Sequence, residues 1–257
     1  MIFTRGTIAA TALTVAVFAA LGSVATADRP PISDRDPHKG VSRAHKMPVT
    51  GIDVSYWQGN IDWAQVRAAG IDFAYLKATE GGDYLDSKFR DNWTATKRAG
   101  VPRGAYHFIY WCRPAREQAL WFMLNVPQDA DALPPVLDLE WNGHSPTCSK
   151  RLSPGTAREM IDVLLAAMEA HTGKRPIIYT DTVFHADVLE GRYKDYSFWL
   201  RSVAAEPKKI YKERPWLMWQ YTTTGRVKGI DGDVDLNAFN GNNRHWRRFL
   251  QQVQAAR

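Results

Sequence analysis

Leu133-Pro134-Pro135-Val136-Leu137-Asp138-Leu139-Glu140 is an uncharged, mostly apolar run that ends in two acids two positions apart. In a β-strand, residues i and i+2 share a face. Asp138 and Glu140 therefore project together from the end of a strand that otherwise reads as buried. Two close carboxyls repel, so the pair holds one proton more tightly than an isolated acid would. Such a pair can divide the work of glycoside hydrolysis: one acid protonates the leaving oxygen and the other stays charged. The competing reading is a surface pair of acids after a core strand. The motif alone leaves both open.

Around this stretch, short apolar runs alternate with helical patterns. Strands are expected at residues 52–55, 71–78, 103–109, 133–140, 177–180, 197–202 and 217–221, with a last short one at 234–238. Helices are expected at 63–69, 86–99, 114–125 and 244–254. Another helix is expected to start at a Thr156/Glu159 capping box and to end at Gly173. In it, Ile161, Leu164, Leu165 and Met168 fall at helical spacing on one face. Strand–helix alternation in one domain of this size argues an α/β fold with a parallel sheet, and the strand count favours a TIM-like barrel of about eight strands. In such barrels the chemistry sits where strands end. The polar residues gather at those ends: Asp53, Lys77, Glu80, His107, Asp138, Glu140, Tyr179, Gln220 and Asp235.

The chain has 257 residues, enough for one sizeable core and short for two. Arg5, an apolar stretch over 8–21 and Ala25-Thr26-Ala27 describe a secretory signal removed after Ala27. The alternative is an uncleaved anchor. No later segment is apolar enough to span a membrane. Residues 28–48 are rich in Pro, Asp, Arg, Lys and His and read as a flexible linker. The folded domain is expected over 49–257. Loss of Arg5 lowers the formal charge from +6 to +5. A mildly basic exported chain suits an anionic polymer such as a cell wall. The basic residues are scattered without a nucleic-acid-binding motif, so nucleic acid is not expected as a partner. In an exported chain, Cys112 and Cys148 read as one disulfide, worth roughly 3–4 kcal/mol through loop closure; the alternative is two free thiols.

Several stretches together resemble the glycoside hydrolase 25 family of lysozymes (N-acetylmuramidases). They are Gly51-Ile52-Asp53-Val54-Ser55 with Gln58, Lys77-Ala78-Thr79-Glu80-Gly81, Gly104-Ala105-Tyr106-His107-Phe108, Asp138-Leu139-Glu140, Ile178-Tyr179-Thr180, Trp219-Gln220-Tyr221 and Val234-Asp235-Leu236-Asn237. They occur in the family's order and span nearly all of 49–239. The resemblance implies a barrel with fewer helices than a full (β/α)₈ barrel. It also implies cleavage of the β-1,4 bond between N-acetylmuramic acid and N-acetylglucosamine in peptidoglycan, without a cofactor or metal. Glu140 then matches the proton donor, and Asp138 the acid that assists the substrate's 2-acetamido group. Asp53 and Asp235 match two further acids of the groove, and Tyr106, Tyr179, Gln220, Glu80, Lys77 and His107 are candidate substrate contacts. Export to the periplasm or beyond follows, with a monomer as the default.

Plainer roles are available for most of these residues. Asp53 could cap the turn before Trp57, and Asp231 or Asp233 compete with Asp235. Glu80 could serve only to pair with Lys77, and His107 could be a core histidine. The aromatic residues Tyr56, Trp57, Tyr106, Phe108, Tyr179, Trp219 and Tyr221 are expected beside the groove, some of them as packing. One departure from the family stands out. Where a Trp-apolar-Ala-x-Tyr pattern is usual, this chain has Trp199-Leu200-Arg201-Ser202-Val203. Two rival functions are a metal-dependent deacetylase of wall sugars, with Asp53, His107 and Asp138 as ligands, and a non-catalytic glycan-binding module.

Overall fold

The structure, a computed structural model, describes residue 2 and residues 38–255. The expected signal segment, apart from residue 2, and residues 28–37 lie outside the described residues.

Eight strands close into a barrel: β1 (Thr50–Val54), β2 (Phe73–Glu80), β4 (Arg103–Phe108), β5 (Val136–Leu139), β6 (Ile177–Thr180), β7 (Ser197–Arg201), β8 (Met218–Gly225) and β9 (Val234–Phe239). A two-residue strand, β3 (Tyr84–Leu85), folds back on the end of β2. The pairings from β1 through β8 are parallel. The expected all-parallel sheet is corrected at β9, which runs antiparallel to both β8 and β1. Only a short segment (226–233) joins β8 to β9, too short for a helical crossover, so the chain turns straight back.

The helices α1 (Trp63–Ala68), α2 (Phe89–Arg98), α3 (Ala115–Asn125) and α4 (Pro154–Thr172) follow their strands as the periodicity predicts. The α4 start differs from expectation. Ser153, not Thr156, is its N-cap, with Pro154 in the first turn and Ser153 Oγ accepting from Thr156 N at 3.2 Å. Pro fits there because its missing N–H would be unpaired in any case. Gly173 ends α4 in the left-handed conformation. Two short helices were not anticipated, α5 (Thr182–Phe184, running into a π turn at His185–Leu189) and α6 (Pro207–Ile210). The last helix is α7 (Asn243–Ala255).

Strand alternation sorts the core into two parts. Outward residues such as Ile52, Leu76, Leu137 and Leu139 pack against Phe122, Ile161, Leu164 and Leu165 of the helices. Inward residues Phe73, Tyr75, Val136, Trp199 and Met218 fill the barrel. The large rings need gaps opposite them. A Cβ on Gly51 would lie 2.2 Å from the Phe73 ring, and one on Gly104 would lie 2.2 Å from the Tyr75 ring. α7 seals the end where β2 begins, with Trp246 packed 5.2 Å from Phe73 and 5.1 Å from Phe239. The opposite end, where the parallel strands finish, stays open.

Residues 38–48, read as linker, are ordered. Ala44 is buried against Trp219, Tyr221 and Ala238. The His38 carbonyl accepts from the Thr222 and Thr224 hydroxyls. The antiparallel turn from β8 to β9 leaves that outer face without a crossover helix, and this segment covers it.

Candidate active site

The open end holds a cavity of about 320 Å³ lined by Asp53, Tyr106, Asp138, Glu140, Gln220 and Asp235, among others. Period-2 alternation puts them there. On β5, Val136 and Asp138 face inward with Glu140 just beyond, while Leu137 and Leu139 face the helices. On β1, Ile52 and Val54 pack outward, so Asp53 points in. On β9, the same rule turns Asp235 and Asn237 inward.

Asp53 and Asp235 sit opposite each other in the β1–β9 register, and their side chains hydrogen-bond. Asp53 also accepts from Asn237 Nδ2 at 2.7 Å and from Gln220 Nε2 at 3.0 Å. Gln220 Nε2 reaches Asp235 Oδ2 at 3.4 Å, and Gln220 Oε1 accepts from the Tyr179 hydroxyl at 2.8 Å. Burial raises both acids, and Asp235 further because of the Asp53 charge. The amide donors stabilise Asp53 as the anion, which places the shared proton on Asp235.

The second pair is Asp138 and Glu140. Burial pushes Glu140 up to about 8; Asp181 adds to the rise, while Arg201 opposes it. Burial and the nearby Glu140 charge raise Asp138 well above the usual carboxylate range. Asp138 Oδ1 is buried without a hydrogen-bond partner among the described residues. A buried acceptor left without a partner is costly, and Asp138 lines the cavity. The chain after Glu140 is anchored: Trp111 Nε1 donates to the Glu140 carbonyl at 2.6 Å, and Asn142 Nδ2 to the Ile109 carbonyl at 2.9 Å. Cys112 and Cys148 form the expected disulfide, with Cα atoms 5.5 Å apart.

Several alternatives are now decided. Ser55 and Gln58, not Asp53, make the capping box of the turn after β1, which leaves Asp53 to the groove. Asp233 pairs with Arg226 and is exposed, unlike Asp235. Glu80 pairs with Lys77; Lys77 lines the cavity, also facing the Phe108 ring at 5.1 Å. His107 is corrected. Its neighbour Tyr106 points into the groove, so His107 points outward, fully buried, with its ring bonded to Thr79 Oγ1 (2.8 Å) and Gln118 Oε1 (3.3 Å). Burial lowers its pKa to about 4. Trp219 and Tyr221 likewise flank the inward Gln220 and face outward under residues 38–48. Trp57 stands at the cavity rim, 77% exposed and packed on Tyr56 at 4.6 Å.

Two residues of this cluster were not picked out as site residues from the sequence. Asn237 is two positions from Asp235, so its inward face was readable. Arg201, which in the sequence stands out only as a departure from the family pattern, lines the cavity, while Val203 is buried and is not among the lining residues.

The family model described as glycosyl hydrolases family 25 matches residues 52–230. The chain belongs to this family. It is 39% identical over 213 residues to Lysozyme M1 of Streptomyces globisporus, covering 78% of this chain and 71% of that protein. Among solved structures, a bacterial lysozyme from Streptomyces coelicolor superposes with a TM-score of 0.71 at 37% identity, covering 82% of this chain and all of the other. A family 25 glycosyl hydrolase from Bacillus anthracis superposes with a TM-score of 0.74 at 31% identity, covering 83% and 97%. As a member of this family the chain is a glycoside hydrolase. The rival deacetylase reading loses its histidine, since His107 is turned away from Asp53 and Asp138.

Proposed function

We propose that this protein is a lysozyme that hydrolyses the β-1,4 bond between N-acetylmuramic acid and N-acetylglucosamine in peptidoglycan. The observation that carries the reading is the Asp138–Glu140 pair, aimed together into the open end of the barrel and holding a proton into the neutral range.

Glu140 is the general acid. Its proton passes to the glycosidic oxygen as the bond from that oxygen to the muramyl C1 breaks. The carbonyl oxygen of the 2-acetamido group attacks C1 from the other face and closes an oxazolinium ring. Asp138, which lines the cavity beside Glu140, accepts from the acetamido N–H and stabilises the positive charge that develops there. Glu140, now a carboxylate, takes a proton from water as that water attacks C1 and the ring reopens. Asp53, the charged member of the Asp53–Asp235 pair, adds negative potential toward the oxocarbenium-like charge. Tyr106, Tyr179 and Gln220 line the sugar's path, and the exposed Trp57 face suits a sugar ring at the rim. Export follows from such a substrate and from the signal-like residues 1–27. Among the described residues, no helix is long and apolar enough to cross a membrane.

Product analysis tests the reading. Residues 28–257 and the Glu140→Gln variant are each incubated with purified peptidoglycan, and new ends are reduced with borohydride and read by mass spectrometry. Reduced muramic-acid ends, absent with the variant, are expected. Reduced glucosamine ends would move the cleaved bond. Loss of acetyl groups without new ends would make it a deacetylase, and retained binding without any product would make it a glycan-binding module.

A further inference from the structure

We infer that Arg201 is a specificity-determining residue that receives a carboxylate carried by the muramyl unit beside the cleaved bond. This rests on the muramidase reading above.

The placement comes from the strand. Phe198 and Leu200 of β7 pack outward, and Trp199 faces into the barrel. Arg201, the last residue of β7, therefore points into the cavity, which it lines with Glu140, Tyr179 and Asp235. Arg201 pairs in register with Gln220, and the Thr180–Leu200 pair brings Asp181 beside it. The Tyr211 hydroxyl donates to the Arg201 carbonyl at 2.5 Å, which fixes the strand end. Its charge opposes the upward shifts of Glu140 and Asp235, as proximity to both requires.

Two cations line this cavity, Lys77 and Arg201. Counted around the eight barrel strands, β2 and β7 are opposite each other. Lys77 is engaged by Glu80 and lies near the Phe108 and Tyr84 rings. Arg201 lies within electrostatic reach of Glu140 and Asp235 across the same cavity. Most groups on the two sugars are neutral: hydroxyls, acetamides and ring oxygens. The muramyl unit differs by its lactyl carboxyl. In strands stripped of peptide this group is a carboxylate; in peptide-bearing strands it is an amide, and the nearest carboxylates lie on the stem. A guanidinium fork takes a carboxylate through two parallel N–H···O bonds, and partial burial strengthens them.

The test compares steady-state hydrolysis of three substrates: peptide-stripped glycan, the same glycan with its carboxyls amidated by carbodiimide and methylamine, and intact peptide-bearing peptidoglycan. The parent is expected to prefer charged over amidated stripped glycan by about tenfold in kcat/KM, chiefly through KM. In Arg201→Ala that ratio is expected to fall below about twofold, with Arg201→Lys in between. An Arg201-dependent preference seen only on intact material would place the carboxylate on the stem; one seen on stripped glycan places it on the lactyl group. An unchanged charged-to-amidated ratio in Arg201→Ala overturns the inference, as does an equal ratio in the parent. If Arg201→Ala does not fold by circular dichroism, Arg201→Lys decides on the same ratio. Binding of the stripped and amidated glycans to Glu140→Gln and to the Glu140→Gln/Arg201→Ala double variant separates the two readings. Carboxylate-dependent binding lost in the double variant supports the inference even where the parent cuts nothing. Binding without carboxylate dependence overturns it.

Discussion

Asn237 holds Asp53 in place: its Nδ2 donates to the Asp53 carboxylate at 2.7 Å, while its Oδ1 accepts from the Trp199 indole at 2.8 Å. Both bonds are buried. Asn237→Leu keeps the approximate volume but leaves the Trp199 N–H unpaired and removes the donor that keeps Asp53 ionised. The expected results are a stability loss of roughly 1–3 kcal/mol in urea unfolding and a fall in kcat/KM of about ten- to a hundredfold. Equal kcat/KM in variant and parent would show that Asp53 needs no such support.

The activity should have a basic limb set by Glu140. Its carboxyl must be protonated to donate, and its pKa is raised from 4.5 to about 8 by burial and by Asp181. The log of kcat/KM should therefore hold through neutral pH and fall as pH rises through about 8. Arg201 opposes the rise, so Arg201→Ala should move this limb upward. A limb that stays in place in that variant would separate Arg201 from Glu140.

The same raised pKa costs stability. The native state binds the Glu140 proton more tightly than the unfolded chain does, so stability declines as pH rises from the unfolded value of 4.5 toward about 8. Glu140→Gln removes that cost. It should melt at nearly the parent's temperature at pH 4 and above it at pH 8, by roughly 5–10 °C for a few kcal/mol. A variant less stable than the parent at pH 8 would count against a strained donor.

His107 should behave as a core residue. His107→Ala loses the bonds to Thr79 and Gln118 and leaves a cavity beside Phe122, with an expected cost of about 2–4 kcal/mol. KM should stay within about twofold, because the ring faces away from the groove. Its folded pKa of about 4 lies below the ordinary 6.5. The unfolded chain thus gains a proton that the native state refuses, and the parent loses stability as pH falls from 6.5 toward 4. The melting gap between parent and variant should narrow across that window.

The disulfide spans 36 positions between Cys112 and Cys148. Replacing both by Ala should cost about 3–4 kcal/mol by the chain-entropy account, lowering Tm by roughly 8–15 °C. The bridge also ties the segment after Glu140 to the β4–α3 turn. Activity should therefore fall more steeply with temperature in the variant, as a thermal activity profile would register.

Much of the site was readable because strand alternation is local. Asp138 and Glu140 had to share a face, and the polar residues at strand ends marked the open end of the barrel. The same rule, applied strictly, would have turned His107 and Tyr221 away from the groove and brought Asn237 into it. In a strand, the direction of one motif residue sets that of its immediate neighbours.

Sequence by itself thus determined the order of the barrel strands, the apolar helix faces and the shared direction of Asp138 and Glu140. These depend on periodicity over a few residues. Only the tertiary structure decided which distant groups share protons and charge. Barrel closure sets Asn237 against Asp53, 184 positions apart. The antiparallel return of β9 places Asp235 opposite Asp53, residues 38–48 cover Trp219 and Tyr221, and β7 carries Arg201 to Glu140. Burial then shifts each carboxyl by an amount set by neighbours that closure supplies, and no local pattern in the chain encodes those neighbours.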